Sequence, residues 1–567
     1  MIIQPIVDIA EICARRGITQ AVICPGSRSA VLTLAFSRHP GISTYVIPDE
    51  RSAAYVAMGM AQSSENPVVV ICTSGTAAAN LYPAIIEAFY QQIPLLVLTA
   101  DRPPEWIDQQ DGQSIRQHNL YENHILASYQ FPVAFESAEA IWHANRMVNE
   151  AILKSEAGNR GPVHINVPIR EPFYPSADEA WQYSGDARII AQLTGAKGAT
   201  QIEVREFESA LKQHQKIMLV IGQGRLSEVL IESLATIQAN YSWVIIGDIL
   251  SNIHLLKNPI TKHDLILMDQ EGQQDLVPGL LITIAQSVLS KGLKGFLRKL
   301  KPQEHWHVGE EQDVADTFRC LTKKVLISPE FLFRELSEMQ LDRAKAQQTF
   351  LEKWSSAQKK GAHIFTEFLA DQKDGEFKAV HLVMGQLPDN CGLHLANSMA
   401  VRYANYLGIK GKENVSVWSN RGASGIDGCT STAVGHAINE HAPQVLITGD
   451  MAFFYDRNAL WHEHVPDNLK IIILNNHGGG IFRLIDGPKV LPELENYFET
   501  RQNLSAANTA KDFGFAYFPA TSNEELSGLL DEFYAPSTGK SILEIFSDPE
   551  MNQKVFEDFK QRFQHQL

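Results

Sequence analysis

Residues 444–480 read QVLITGDMAFFYDRNALWHEHVPDNLKIIILNNHGGG, and this stretch decides the fold class. Its two apolar runs, QVLITG and LKIIIL, predict strands buried on both faces, and the helical segment between them predicts a parallel crossover. The first run ends at Gly449 and Asp450, and the second ends at Asn475 and Asn476 before a run of glycines. Because the carboxyl ends of parallel strands lie at one edge of a sheet, we expect the carboxylate and the carboxamide to meet there.

The same alternation of apolar strands and helical segments occupies the rest of the chain. The first third contains the strand-like runs ITQAVICPG, STYVIPD, NPVVVICTS and PLLVLTAD, and the middle third starts again with KIMLVIGQG. The last third shares the rhythm of the first, as a second copy of one architecture would. A polar, Pro-containing stretch, REPFYPSADEAWQYSGDA, predicts a linker. We therefore predict an α/β protein with three doubly wound parallel-sheet domains, at 1–180, 181–345 and 346–567.

The composition excludes several classes of protein. Hydrophobic residues make up 44% of the 567 residues and charged residues 20%, which is typical of a globular protein rather than a disordered or fibrous one. The 49 basic and 65 acidic residues give a net charge of −16, which argues against a general nucleic-acid-binding protein.

The sequence also bears on the expected location. Its start lacks the pattern of a signal peptide, and no apolar run approaches the roughly 20 residues that a membrane span needs. The six cysteines are scattered without a CxxC pair, which is typical of reduced thiols. We therefore expect a cytoplasmic protein.

Oxygen ligands at the ends of the two strands within residues 444–480 indicate a metal site. A carboxylate, a carboxamide oxygen and a backbone carbonyl are hard ligands that suit Mg²⁺, and Mn²⁺ accepts the same set. The glycines beside them let the backbone approach a diphosphate, and a following helix N-terminus would favour its charge. The stretch therefore predicts a metal ion that also holds phosphate.

Arginines follow several of the predicted strands. Arg28 lies in the turn PGSRS, Arg102 in ADRPPE, Arg402 one helical turn after Ser398, and Arg421 in SNRGASGIDG. Guanidinium groups bind carboxylates through paired hydrogen bonds, so the set indicates a substrate with several carboxylates. A cleft can be locally basic even though the whole chain is acidic.

A series of motifs appears in order over nearly the whole chain: GSRS, DERSAA, TSGTAAANLYPA, LTADRPPE, NSMAVR, SNRGASGIDG and GD…NNHGGGIF. The last resembles the thiamine-diphosphate motif, which begins Gly-Asp-Gly and closes with Asn-Asn, although Met451 takes the third place here and the spacing is slightly short. Together the motifs are similar to those of the 2-succinyl-5-enolpyruvyl-6-hydroxy-3-cyclohexene-1-carboxylate synthase family of menaquinone biosynthesis. In the middle third the resemblance is architectural only.

The resemblance implies a transferase that uses thiamine diphosphate together with Mg²⁺ or Mn²⁺. The family decarboxylates 2-oxoglutarate and adds the resulting carbanion to isochorismate in a 1,4-addition, so that CO₂ but not pyruvate is released. The resemblance further implies a homodimer or homotetramer, in which the first domain of one subunit and the last domain of another form the active site.

The resemblance also assigns roles to individual residues. Glu50, where the run STYVIPD meets a helix, matches the glutamate that activates the cofactor, and we expect it to be buried. Gln113 matches a catalytic residue that orients a substrate or a water. The implied metal ligands are Asp450, Asn476 and the backbone carbonyl of Gly478. The implied cofactor contacts are Glu50, Thr73, Gly449, Asp450, Asn476, Gly478, Ile481 and Phe482, and the implied substrate contacts are Ser27, Arg28, Arg102, Gln113, Asn397, Ser398, Arg402 and Arg421.

Residues around the glycines complete the expected site. Ile481 and Phe482, with Ile485, would form an apolar wall that keeps the reaction dry. Gly480 stands where relatives often have glutamine, which leaves one polar contact of the family open. We expect His477 to be structural rather than catalytic.

Three other interpretations are open from the sequence. Another thiamine-diphosphate-dependent carboligase or 2-oxoacid decarboxylase, such as an acetolactate synthase, would share the cofactor site but not the arginines. Gly222-Gln223-Gly224 after a strand could mark a nucleotide site, although Ser227 stands where the third glycine of that motif belongs. A non-catalytic homologue used as a scaffold would have no need of Glu50 and the metal ligands.

Overall fold

A computed structural model describes residues 3–171, 174, 181–192, 201–269, 271–310, 313, 315–339, 345–412, 414–485 and 487–564. Within these ranges the chain forms three β-sheets, and every pairing between neighbouring strands is parallel. The predicted fold class, α/β with three parallel sheets, is therefore confirmed. Residues 172–173 and 175–180 of the predicted linker lie outside the described ranges, and the boundaries at 180 and 345 stay predictions.

The N-terminal sheet has six strands in the order β2-β1-β3-β4-β6-β5. The strands are β1 (Gln20–Ile23), β2 (Ser43–Val46), β3 (Val68–Cys72), β4 (Leu95–Asp101), β5 (Ser128–Gln130) and β6 (Pro162–Pro168). The helices around them are α1 (Gln4–Arg15), α2 (Ala30–Ser37), α3 (Glu50–Ser64), α4 (Thr76–Asn80), α5 (Tyr82–Gln91) and α6 (Ala138–Glu156). Strands β3, β4 and β6 are buried along their whole length, as their apolar sequences predict.

The middle sheet has five strands in the order β11-β10-β9-β7-β8. The strands are β7 (Ile217–Ile221), β8 (Val244–Gly247), β9 (Leu280–Ile284), β10 (Glu304–Val308) and β11 (Lys323–Val325). The accompanying helices are α7 (Gln201–Gln213), α8 (Glu228–Tyr241), α9 (His263–Ile266), α10 (Lys291–Leu300) and α11 (Pro329–Glu338). The long helix α12 (Lys345–Asp371) then leads into the last part of the chain.

The C-terminal sheet has six strands in the order β13-β12-β14-β15-β17-β16. The strands are β12 (Asn390–Leu395), β13 (Asn414–Trp418), β14 (Gln444–Gly449), β15 (Leu469–Asn475), β16 (Ala516–Ala520) and β17 (Ser541–Phe546). The helices are α13 (Glu376–Gly385), α14 (Met399–Leu407), α15 (Cys429–Asn439), α16 (Asp450–Tyr455), α17 (Ile481–Leu484), α18 (Ala507–Phe513), α19 (Asn523–Tyr534) and α20 (Pro549–Gln564). This strand order repeats that of the N-terminal sheet, as the shared sequence rhythm suggested.

The two outer sheets are joined through helices α3 and α15, which approach each other closely. A Cβ on Gly59 would lie 2.2 Å from the carbonyl oxygen of Thr432, and a Cβ on Gly435 would lie 2.1 Å from that of Val56. Only glycine permits two helix backbones to come this close. Apolar side chains from both sheets continue the contact as one buried core.

Two further expectations concern the chain as a whole. In the described ranges no helix is long and apolar enough to cross a membrane. The six cysteines are free, and all except Cys320 are buried. Burial raises the pKa of the thiols of Cys13 and Cys72, as is usual for unreactive structural cysteines.

We predict that Gly435→Ala lowers the free energy of unfolding by about 1–3 kcal/mol, because the added methyl group would force α3 and α15 apart. Gly528→Ala is the matched control, since Gly528 is also helical but a Cβ there would meet nothing within 4 Å. Alanine should therefore be tolerated at position 528 or stabilise the helix slightly. Denaturant unfolding of both variants measures the difference, and a Gly435→Ala variant as stable as the wild type would contradict the close contact.

Candidate active site

A cavity of about 480 Å³ opens at the carboxyl ends of β12, β14 and β15. All its lining residues lie between Glu376 and Thr500 in the sequence. The predicted site residues that it brings together are Asn397, Ser398, Arg402, Arg421, Gly449, Asp450, Asn476, Gly478, Ile481 and Phe482. The strand ends of the C-terminal sheet therefore meet at one cavity, as parallel pairing predicts.

The pairing of β14 with β15 places the two side-chain ligands expected for the metal. Gly449 lies opposite Leu474 in the parallel register, so Asp450 and Asn476 leave the sheet at nearly the same level. The Asp450 carboxylate is buried, and its Oδ2 accepts a hydrogen bond of 2.7 Å from Nε2 of Gln502. Burial raises the pKa of Asp450 to about 6, because the charged form loses its hydration.

The Asn476 carboxamide presents its oxygen without a protein partner. Its Nδ2 donates to Oε1 of Glu376 at 2.5 Å, which fixes the orientation of the amide. Its Oδ1 is buried and makes no hydrogen bond to any described residue. A buried, unpaired carbonyl oxygen beside a buried carboxylate is costly unless something cationic binds both, so the pair fits a divalent metal ion.

The glycines after Asn476 leave space along the backbone. A Cβ on Gly478 would lie 2.7 Å from the carbonyl oxygen of Glu499, and a Cβ on Gly480 would lie 2.7 Å from Nδ2 of Asn476. A side chain at position 480 would thus require the Asn476 carboxamide to shift. The helix that follows, α17, has only four residues, so it contributes less dipole than the sequence suggested.

Two arginines line the same cavity. Nη1 of Arg421 donates to Oδ1 of Asn397 at 2.8 Å, and Nη1 of Arg402 donates to the backbone oxygen of Ser398. Burial and then the charge of Arg421 lower the pKa of Arg402, so the two guanidinium groups are close enough to repel each other. Among the described residues neither group forms an ion pair with a carboxylate. The cavity therefore favours a ligand with more than one negative charge.

Apolar side chains line the same cavity. Ile481, Phe482 and Ile485 all line it, as predicted, and Phe498 and Leu474 add to the same surface. Ile485 is 39% exposed, which leaves this surface open to solvent in the single chain. Apolar lining of this kind excludes water once the cavity is closed.

A second group of predicted residues lies at the N-terminal sheet. Arg28 is buried and donates from Nη1 to the backbone oxygen of Ile169 at 2.9 Å. Arg102 donates from Nη2 to the backbone oxygen of Gly112 at 2.6 Å and pairs with Asp111 at 2.8 Å. Burial and then the charge of Arg102 lower the pKa of Arg28, so the two arginines lie within electrostatic range of each other.

Other predicted residues surround this second pair of arginines. The turn that carries the exposed Ser27 packs on Thr73, since a Cβ on Gly26 would lie 2.3 Å from the Cβ of Thr73. A Cβ on Gly75 would lie 3.2 Å from the Gln113 backbone. Gln113 itself is exposed and has φ +53°. The carboxyl ends of β1, β3 and β4 thus carry one cluster.

Glu50 is the first residue of α3, directly after the capping residue Asp49, whose side chain accepts the N–H of Ser52 at 3.2 Å. Its negative charge contributes to the raised pKa of Cys72, after burial, which places Glu50 at the ends of β1 and β3. Glu50 is half-buried, so the expectation of a buried residue is wrong for the single chain. Half-burial leaves one side of the glutamate open to a ligand or a second subunit.

The structure therefore divides the predicted site into two groups. The cavity of the C-terminal sheet contains no residue that precedes Glu376, so Glu50, Thr73, Ser27, Arg28, Arg102 and Gln113 do not line it. Each group lies at the carboxyl edge of its own sheet. The roles that the resemblance assigns to these residues stay predictions.

Sequence reasoning missed two residues that hold the predicted metal ligands, Asp450 and Asn476. Glu376 is 2% exposed, holds Asn476 through its carboxylate, and has a pKa raised to about 7 by burial and by the nearby Asp450. Gln502 donates to Asp450 and stands far from it in sequence. Neither residue lies in a motif, so no local signal in the sequence could have identified them.

Comparisons with known proteins agree with this geometry. The profile described as "Thiamine pyrophosphate enzyme, N-terminal TPP binding domain" matches residues 7–121, and the profile described as "Middle domain of thiamine pyrophosphate" matches residues 192–395. Together with the parallel sheets and the cavity, these matches define a thiamine-diphosphate-dependent enzyme.

Curated relatives narrow the class further. Proteins named 2-succinyl-5-enolpyruvyl-6-hydroxy-3-cyclohexene-1-carboxylate synthase from Cytophaga hutchinsonii, Flavobacterium johnsoniae and Desulfotalea psychrophila are 43%, 36% and 37% identical to this chain. The alignments cover 99%, 97% and 96% of this chain and 99%, 97% and 98% of those proteins. The chain belongs to the 2-succinyl-5-enolpyruvyl-6-hydroxy-3-cyclohexene-1-carboxylate synthase family. It is a transferase that uses thiamine diphosphate with a divalent metal ion.

We predict that thiamine diphosphate with Mg²⁺ raises the melting temperature of the wild-type protein but not that of Asp450→Asn, since the variant lacks the carboxylate ligand. Without ligands the variant should be at least as stable as the wild type, because a neutral amide avoids the cost of burying the Asp450 charge. Calorimetry with and without EDTA measures both effects. Asp531→Asn, at an exposed position of α19, is the control, and an undiminished shift in Asp450→Asn would remove Asp450 from the metal site.

Proposed function

We propose that this enzyme decarboxylates 2-oxoglutarate and joins the remaining succinyl unit to isochorismate, with release of CO₂ but not pyruvate, in menaquinone biosynthesis. The observation that carries the proposal is the pair Arg402 and Arg421 in the same cavity as Asp450 and Asn476. Both substrates are dianions, so a cavity with two guanidinium groups and no carboxylate partners in the described ranges suits them. The names of the relatives, which specify the product of this reaction, support the same assignment.

Several residues would hold the cofactor and its metal. Asp450, Asn476 and the backbone carbonyl of Gly478 would bind Mg²⁺ or Mn²⁺, and the backbone from Gly478 to Gly480 leaves room for a diphosphate. Bound thiamine diphosphate supplies the electron sink that decarboxylation of a 2-oxoacid requires. The remaining work of the chain is to bind and orient the substrates and to exclude water.

Different side chains around the cavity would bind the substrates and exclude water. Arg402 and Arg421 would bind substrate carboxylates, and Asn397 holds Arg421 in place through its Oδ1. Ile481 and Phe482, which line the same cavity, would keep water from the reacting atoms. A carboxylate bound by a guanidinium group through paired hydrogen bonds is also fixed in orientation, because the fork allows few geometries.

We infer that a second subunit completes the active site in a homodimer, which could pair further into a tetramer. The cavity contains none of the predicted residues of the N-terminal sheet, while Glu50 is half-buried and Gln113 is exposed there. Val490, Tyr497 and Leu504, from the segment that follows the cavity glycines, are 75%, 78% and 52% exposed. Large exposed apolar side chains beside an incomplete site favour coverage by a second copy of the chain.

We also propose that the enzyme works in the cytoplasm. Its six cysteines are free and five of them are buried, which is typical of proteins in a reducing compartment. Isolation without reductant should therefore yield a chain with six titratable thiols after denaturation.

The proposed reaction is tested by mass spectrometry of one mixture: enzyme, thiamine diphosphate, Mg²⁺, 2-oxoglutarate and isochorismate, with each component omitted in turn. We expect one product that joins a succinyl unit to the isochorismate ring, and it should depend on every component. Loss of 2-oxoglutarate with isochorismate untouched would contradict the assigned acceptor. Turnover of pyruvate in place of 2-oxoglutarate would favour another thiamine-diphosphate-dependent carboligase.

The shared active site is tested by mixing two inactive variants, Glu50→Gln and Asp450→Asn. If Glu50 of one subunit serves the Asp450 cavity of the other, each mixed dimer contains one site with both residues intact. An equal mixture that exchanges subunits freely should then recover about a quarter of the wild-type activity. Recovery of no activity, although native mass spectrometry detects mixed dimers, would show that both residues act within one subunit. Two variants of the same group, Asp450→Asn and Asn476→Ala, are the matched control and should not complement each other.

A further inference from the structure

The loop that carries Arg421 is held by a glutamate on helix α5, which packs beside the N-terminal sheet. Oε1 of Glu87, on α5, accepts the N–H of Gly422 at 2.6 Å, and its Oε2 accepts the N–H groups of Ala423 at 2.7 Å and Ser424 at 3.2 Å. Glu87 is 1% exposed. Three successive backbone N–H groups thus converge on one buried carboxylate, which fixes the path of the loop directly after Arg421.

The backbone of this loop is shaped to fit α5. Ser424 has φ +68°, a left-handed conformation that non-glycine residues seldom adopt. A Cβ on Gly422 would lie 2.9 Å from both the carbonyl oxygen of Glu87 and the Cβ of Tyr90. The loop therefore needs glycine at 422 to reach the carboxylate, and the contact outweighs the strain at 424.

The same loop is tied to the middle sheet through glutamines. Nε2 of Gln91 donates to Oε1 of Glu87 at 2.7 Å, and Nε2 of Gln223 donates to Oε1 of Gln91 at 2.9 Å and to the backbone oxygen of Ser419 at 3.1 Å. A Cβ on Gly222 would lie 2.0 Å from the carbonyl oxygen of Gln286, so glycine is required there. These contacts give the Gly222-Gln223-Gly224 stretch a structural role that requires no bound nucleotide.

We propose that Glu87 is a positioning residue for the substrate-binding arginine, Arg421. The Glu87 carboxylate, together with Gln91 and Gln223, holds the 419–424 loop against α5 and the middle sheet. Arg421 and Ser424 of this loop line the cavity. The negative charge of Glu87 also favours the charged form of Arg421, whose pKa is lowered by burial. The role rests on the proposed function, because it assumes that Arg421 binds a substrate carboxylate.

The test uses Glu87→Gln, which keeps the shape of the side chain but offers one acceptor oxygen in place of two. With that oxygen toward Gly422 and Gln91, its NH₂ group faces the N–H groups of Ala423 and Ser424 and leaves both without an acceptor. We expect KM for at least one of the two substrates to rise about tenfold. The kcat and the Kd for thiamine diphosphate should change less than about twofold, since the metal ligands lie outside the clamp.

Three comparisons separate positioning from a loss of stability. In an Arg421→Ala background, Glu87→Gln should raise KM little further, because both changes act through the same guanidinium. Gln223→Met removes the donors to Gln91 and Ser419 and should raise KM by a smaller factor, about threefold. Asp8→Asn neutralises another buried carboxylate, one that accepts from Gln4 at 2.9 Å far from the loop, and should leave KM unchanged.

Hydrogen exchange measured by mass spectrometry tests the clamp without turnover. The peptide that contains residues 420–426 should exchange faster in Glu87→Gln than in the wild type, and Asp8→Asn should not change it. An active Glu87→Gln enzyme with wild-type KM values, or an undiminished effect in the Arg421→Ala background, would overturn the positioning role. Unchanged exchange would overturn the clamp itself. If the wild-type enzyme forms no product from 2-oxoglutarate and isochorismate, the proposed function fails, and exchange alone then decides on the clamp.

Discussion

The site depends on one alignment, the parallel pairing of β14 with β15 in which Gly449 lies opposite Leu474. Because both strands are buried nearly throughout, neither can slip without exposing apolar side chains. Asp450 and Asn476 therefore leave the sheet side by side, and their separation is set by strand geometry rather than by a flexible loop. Glu376 and Gln502 then only have to orient two side chains whose backbone positions are already fixed. This is why a weakly matching motif can still bring together the two side chains expected to bind the metal.

The arginines of the cavity provide positive charge for an anionic ligand in a chain whose net charge is −16. Arg402 and Arg421 line one cavity although burial lowers the pKa of both guanidinium groups. Their hydrogen bonds to Ser398 and Asn397 replace part of the hydration that the two guanidinium groups lose on burial. Two guanidinium groups without a carboxylate partner in the described part of the chain form a local positive potential, which a dianion would satisfy better than any single charge.

Much of this site could be predicted because its residues follow strands directly. Asp450, Asn476 and Arg421 are visible in the sequence, since the apolar runs before them predict strands and parallel strands end at one edge. Glu376, Gln502 and Glu87 could not be found this way, because they do not follow a strand and they reach their partners from distant parts of the chain. The half-burial of Glu50 in the single chain, where burial was expected, has a related cause. The exposure of a residue at a helix start depends on what packs against it, which the local sequence does not specify.

The repeated strand order explains why the predicted residues form two groups rather than one. β1, β3 and β4 take the same positions in the N-terminal sheet as β12, β14 and β15 take in the C-terminal sheet. Each edge therefore presents its own cluster, with Arg28 after β1 and Asp450 after β14. Gly59 and Gly435 lock the two sheets together through α3 and α15, so the clusters cannot be brought together by a hinge between these helices. In the proposed dimer a second copy of the chain brings the two clusters together, and two-fold symmetry makes each pairing complete two sites at once.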